Sequence, residues 1–197
     1  MKRTDNLQVN TKTYWNYIYT TPAKKAEYWS STRRFPEAIK YVKDGDKFLD
    51  IGCGVGIPGR MIKKMRKGCE IWGVDISDEI IKNNKIDDKD IKYFQGYVGQ
   101  LKGVPEKYFD VVFSGETLEH LDEPADLVRD GYRTLKKGGK FIITTPHGEE
   151  IKSPEHTWYF EKDDIEDLFF TAGFKDIKFV ELGDMEHLVI IFAIGTK

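Results

Sequence analysis

Phe48-Leu49-Asp50-Ile51-Gly52-Cys53-Gly54-Val55-Gly56-Ile57-Pro58-Gly59-Arg60 decides how the rest of the chain is read. An apolar run of strand character ends at an acid, and three glycines then fall on alternate positions. Glycine there permits a tight turn and lets backbone approach a ligand, both of which a β-carbon would obstruct. The turn opens into Arg60-Met61-Ile62-Lys63-Lys64-Met65, which reads as a helix, and Pro58 suits its first turn. Unpaired N–H groups at such a helix start favour an anionic ligand group.

The 197 residues suit one domain, 1–197, in which an N-terminal helical segment, 1–45, precedes a ligand-binding core, 46–197. Lys plus Arg number 31 and Asp plus Glu 33, a formal net charge of -2. That balance lacks the basic excess of a protein gripping nucleic acid, so no nucleic-acid partner is expected. Cys53 and Cys69 are too few for a disulfide scaffold or a zinc site, and Cys53 reads as a small side chain inside the glycine turn. No stretch approaches a membrane span and no signal-peptide core opens the chain, so a cytoplasmic protein is expected.

Further along, Glu70–Asp75 reads as a second strand ending in an acid, and Ser77 caps a helix through Ile80 and Ile81. Ile91–Gln95, Phe109–Ser114 and Lys140–Thr145 read as further strands. Helices are expected through Pro124–Leu135 and from about Asp163 to Ala172. Residues Lys175–Leu182 and His187–Gly195, joined at Gly183-Asp184, read as a closing hairpin. An upstream helix through Phe35, Ala38, Ile39 and Val42 is expected, capped at Ser30-Ser31-Thr32. Alternation of strand and helix implies an α/β fold: a Rossmann-like, doubly wound, mostly parallel sheet. Ligands bind beyond the carboxyl ends of such strands, where the glycine turn, Asp75, Tyr97 and Ser114-Gly115-Glu116 fall. The polar N-terminal segment carries Tyr14, Trp15, Tyr17, Tyr19, Tyr28 and Trp29, too many aromatics for a disordered tail. They read either as plain packing or as a lid over the site.

Asp50-x-Gly52-x-Gly54-x-Gly56 resembles motif I of the class I S-adenosylmethionine-dependent methyltransferases, whose sheet has seven strands with only the last antiparallel. The resemblance implies S-adenosyl-L-methionine as cofactor. Asp50 would orient the loop and the methionine portion, Asp75 would take the ribose hydroxyls, and Ile76, Tyr97 and Val98 would enclose the adenine. Many family members carry an acid where Tyr97 stands, and a tyrosine can only stack or offer a hydroxyl.

Asp110–Pro124, with Glu116-Thr117-Leu118-Glu119-His120 at its centre, resembles the segment after strand four in ubiquinone-biosynthesis O-methyltransferases and their small-molecule relatives. In that subset the residues matching Glu116, Glu119 and His120 bind a divalent ion such as Mg²⁺, and an arginine placed like Arg34 holds the cofactor carboxylate. Arg33 is an equal candidate for that role. On a helix the two glutamates and the histidine would share one face. His120 and His156 are the candidate bases for an oxygen nucleophile, which must lose a proton. The expected function is therefore methyl transfer to a heteroatom, oxygen by preference, of a small-molecule acceptor. Two rivals stand beside it. One is a methyltransferase-like module that binds cofactor or partner without turnover. The other is an NAD-dependent dehydrogenase, since Gly54-Val55-Gly56-Ile57-Pro58-Gly59 also fits G-x-G-x-x-G and Tyr132 and Lys136 have Tyr-x-x-x-Lys spacing.

Overall fold

A computed structural model describes residues 1–4, 10–20, 34–149, 153–182 and 190–197. The elements follow in order as β1 (Lys2–Arg3), α1 (Lys12–Tyr19), α2 (Arg34–Ile39), β2 (Lys47–Ile51), α3 (Ile57–Met65), β3 (Glu70–Asp75), α4 (Asp78–Asp87) and β4 (Lys92–Gln95). Then come β5 (Phe109–Gly115), a 3₁₀ turn (Leu118–His120), α5 (Pro124–Thr134), β6 (Leu135–Pro146), β7 (Trp158–Tyr159), α6 (Lys162–Ala172), β8 (Lys175–Phe179) and β9 (Ile190–Thr196).

Seven strands form one sheet in the order β4-β3-β2-β5-β6-β9-β8. Neighbours from β4 to β6 pair in parallel, whereas β9 is antiparallel to both β6 and β8, so β9 alone runs against the rest. The expected seven-stranded architecture is what the chain adopts. Its strands read as near-continuous apolar runs because both faces are covered. Leu49, Ile51, Val112, Phe141 and Ile143 pack into one core layer, and Phe48, Val111, Phe113, Ile142 and Phe192 into the other. Strand order reverses between β2 and β5, and that opens a crevice at their carboxyl ends.

Three local expectations shift. The segment after β5 is one 3₁₀ turn rather than an α-helix, so the shared face proposed for Glu116, Glu119 and His120 does not form. Val42 lies beyond α2, which ends at Ile39. The first closing strand, β8, ends at Phe179, short of the expected Leu182; the Gly183-Asp184 connection, His187, Ser30–Thr32, Arg33, Tyr28 and Trp29 lie outside the described residues. Among the described residues, no helix is long and apolar enough to cross a membrane.

Candidate active site

The glycine turn is tied to the neighbouring strand from the outset. Gly52 and Cys53 both donate their N–H to the Val74 carbonyl, and Gly54 donates to Asp75 Oδ2 at 2.9 Å. Gly56 caps α3 with φ +74, where an added β-carbon would meet the Tyr93 hydroxyl at 2.4 Å. Gly54, at φ +48, has the Tyr19 hydroxyl 3.0 Å from where its β-carbon would stand. The alternating glycines thus serve a left-handed backbone and a close approach at once. Cys53 is buried and its thiol is pushed well up by that burial, so it packs rather than reacts.

Asp75 accepts from Gly54 N through one oxygen and from Ser77 N through the other, both at 2.9 Å. Burial lifts its carboxyl to about 6, against the pull of these backbone donors. Asp50 is more deeply buried and driven well above the usual carboxylate range, by burial first and by Asp75 second. Its Oδ2 has no hydrogen-bond partner among the described residues. Asp50 does not line the cleft and stands behind the glycine turn.

A cleft of 530 Å³ opens over these strand ends. Asp75, Ile76, Tyr97 and Val98, the residues expected for a nucleoside, line it, and Ile51, Gly52, Glu116 and His120 line it as well. Gly54, Gly56, Ser114 and Gly115 stand behind the lining rather than in it. Ser114 is fully enclosed and donates its hydroxyl to the Ile51 carbonyl, so it locks β5 to β2.

Helix α1 crosses above this cleft, strapped on both walls. On the α4 side, Asn16 accepts from Ser77 Oγ at 2.6 Å and donates to Asp78 at 2.8 Å, and Lys12 pairs with Asp78. On the far side, the Tyr14 hydroxyl bonds Glu155 and Asn10 donates to the Glu155 carbonyl at 2.8 Å. Trp15 then sits edge-on to His120, with ring centroids 5.0 Å apart. Trp15 and Tyr19 line the cleft, whereas Tyr17 points to solvent.

Beneath α1, the candidate polar groups divide into two sets. Glu116 adopts φ +51, uncommon for a side chain of its size, and faces the fully buried Arg34 at 3.8 Å. Arg34 stacks over Phe35 and is not part of the cleft lining. The other set is Glu119, His120 and His156, whose ligand-type atoms lie within 4.8 Å of one another. His120 Nδ1 meets the Glu155 carbonyl at 2.9 Å; a carbonyl can only accept, so Nδ1 carries the proton and Nε2 the lone pair in the neutral ring. Burial lowers the His120 pKa, favouring that neutral form. Its Nε2 lies 3.7 Å from Glu119 Oε1. Burial raises both Glu116 and Glu119 to about 7; the Glu119 charge adds to the rise at Glu116. His156 packs behind His120 at a ring separation of 5.2 Å and does not line the cleft.

The predicted Mg²⁺ set is therefore not assembled: Glu116 turns to Arg34, and the group that converges has two imidazoles and one carboxylate. Mg²⁺ prefers an all-oxygen shell, so these residues do not fit it. The dehydrogenase pair also dissolves. Lys136 is bound to Asp110 at 2.7 Å, and Tyr132 packs edge-on against Phe174, both away from the cleft.

Residues 49–143 match the model of a family described as a methyltransferase domain. The chain is 31% identical over 135 residues to the uncharacterized methyltransferase YdaC of Bacillus subtilis (strain 168), covering 68% of this chain and 74% of that protein. The chain belongs to the class I S-adenosylmethionine-dependent methyltransferases. A ubiquinone biosynthesis O-methyltransferase of Alkalilimnicola ehrlichii is 32% identical over 106 residues, 52% of this chain and 42% of that protein. Among solved structures, phosphoethanolamine N-methyltransferase 2 of Haemonchus contortus, in complex with phosphomonomethylethanolamine and S-adenosylhomocysteine, superposes with a TM-score of 0.69. That likeness covers 84% of this methyltransferase and 52% of the other chain at 19% identity, so it speaks to the fold.

Asp75, Ile76, Tyr97 and Val98, which the family resemblance names for the nucleoside, line the cleft at or just past the ends of β3 and β4. Sequence reasoning missed Asn10, Glu155 and Asp126. No local signal marks them, since each reaches the site only through tertiary folding.

Proposed function

We propose that this methyltransferase modifies a heteroatom, oxygen by preference, of a small-molecule acceptor held beneath α1. The observation that supports this reading is the strap of α1, which sets Trp15 and Tyr19 in the wall of a cleft of about 530 Å³ that His120 also lines. A confined site favours a small acceptor over a polymer. Residues 1–45 act in this reading as a lid on the core of 46–197.

S-adenosylmethionine supplies a methyl group on a sulfonium, with its leaving group built in. The protein then has three tasks. Asp75 holds the ribose hydroxyls while Ile76, Tyr97 and Val98 enclose the base. Glu116, which lines the cleft and is paired with Arg34, faces the methionine end, and Asp50 supports the glycine turn from behind the lining. His120 takes the acceptor proton at Nε2, its ring fixed by Glu155, while Trp15 excludes water. His156 supports the ring from behind.

An oxygen acceptor gives His120 its task, because a hydroxyl must lose a proton as it attacks. A panel of hydroxylated and amine acceptors, with S-adenosylhomocysteine formation as readout, tests the proposal. Turnover of hydroxylated compounds that collapses in His120→Asn supports it. Turnover confined to amines and indifferent to His120 contradicts the oxygen reading, and binding without turnover across the panel favours a non-enzymatic module.

A further inference from the structure

Adenine presents an exocyclic amino group, a donor that needs an acceptor wherever the base is enclosed. In the assignment above, Asp75 takes the ribose at the end of β3. Gln95 is its register partner on β4, and Gly96 donates to the Asp75 carbonyl at 3.0 Å. A base leaving the ribose sideways along the strand ends therefore runs against residues 96–101. Tyr97, Val98 and Leu101 line the cleft there, and none of them is an acid.

Helix α5 packs acids directly against this loop. Asp130 Oδ2 accepts the Gly99 N–H at 2.6 Å, fixing the loop against the helix. One turn earlier, Asp126 lines the cleft itself. Its Oδ1 is held by Arg129 on the outer face, while its Oδ2 lies 2.7 Å from where a β-carbon on Gly99 would stand. Gly99 sits at φ +82, and any side chain there would be strained and would meet this carboxylate. The loop is thus shaped to let Asp126 reach over it.

We propose that Asp126 reads the exocyclic amino group of the cofactor's adenine, as an acceptor supplied by α5 instead of by the end of β4. The inference rests on the cofactor assignment. A carboxylate can only accept, so it binds a 6-amino purine and repels a 6-oxo purine.

The test is titration of the full chain with S-adenosylhomocysteine and with its deaminated analogue S-inosylhomocysteine. One charge-assisted hydrogen bond predicts about tenfold to hundredfold weaker binding of the 6-oxo analogue by wild type. Asp126→Asn, whose amide can rotate to donate to the 6-oxo group, is expected to bring the two ligands to within about threefold or to reverse their order. Asp122→Asn, from the same wall, is expected to keep the wild-type preference. Equal binding by wild type, a preference that survives in Asp126→Asn, or one lost only in Asp122→Asn overturns the assignment. Failure of wild type to bind either ligand overturns the cofactor reading beneath it.

Discussion

The two ends of the cleft are built in opposite ways. At the cofactor end, the glycine turn, Asp75 and Tyr97-Val98 come from three successive strand ends, each held by backbone hydrogen bonds to its neighbour. At the acceptor end, Tyr14 meets Glu155 across 141 positions, and Trp15 meets His120 across the lid. The first end is fixed by the sheet itself. The second depends on side chains from an N-terminal helix, a 3₁₀ turn and the loop before β7. Substitutions at the cofactor end should therefore move ligand affinity, and those at the acceptor end should move turnover.

The largest effect is expected at His120. His120→Asn should lower kcat for a hydroxylated acceptor by about 10²–10⁴-fold, with S-adenosylhomocysteine affinity within about twofold of wild type. A matching loss of affinity in calorimetry would merge the two ends into one site. Asp75→Ala comes next. It removes the acceptor proposed for two ribose hydroxyls and should weaken S-adenosylhomocysteine by about 100-fold; unchanged affinity would sink the ribose assignment.

Charge sharpens the contrast through pH. Glu119 moves from 4.5 to about 7 on folding because it is buried. Its proton therefore favours the fold fully below pH 4.5, and that contribution is lost as pH rises through 7. The loss amounts to roughly 3 kcal/mol. His120, lowered by burial, works in the opposite sense around its unfolded value, so the readout is a difference. Urea melts of wild type and Glu119→Gln across pH 4.5–7.5 should diverge by that amount, with the variant less sensitive to rising pH. Parallel curves would mean that Glu119 is ionised in the fold.

The smallest effect belongs to the strap. Tyr14→Phe deletes one hydrogen bond to Glu155 and should cost about 1 kcal/mol of lid closure. It should be seen as faster amide exchange in α1 and a modest rise in acceptor KM. No change in exchange would detach α1 from that anchor.

This contrast also explains what could be read in advance. Asp50-x-Gly52-x-Gly54-x-Gly56 and Asp75 encode local turns, and apolar strands with capped helices encode the sheet, so both were legible residue by residue. Position 126 looked like any helix acid in a first turn. The spacing of Glu116, Glu119 and His120 suggests a shared helix face, while the chain makes a 3₁₀ turn in which Glu116 pairs with Arg34 and Glu119 and His120 converge with His156. The aromatic N-terminal segment was visible as a candidate lid, yet Tyr14's partner could not be found without the fold.

The most direct test of this two-ended account is calorimetric titration of S-adenosylhomocysteine into Asp75→Ala and Trp15→Ala side by side. The account predicts binding nearly lost in Asp75→Ala and kept within severalfold of wild type in Trp15→Ala. Binding retained in Asp75→Ala and lost in Trp15→Ala would contradict it.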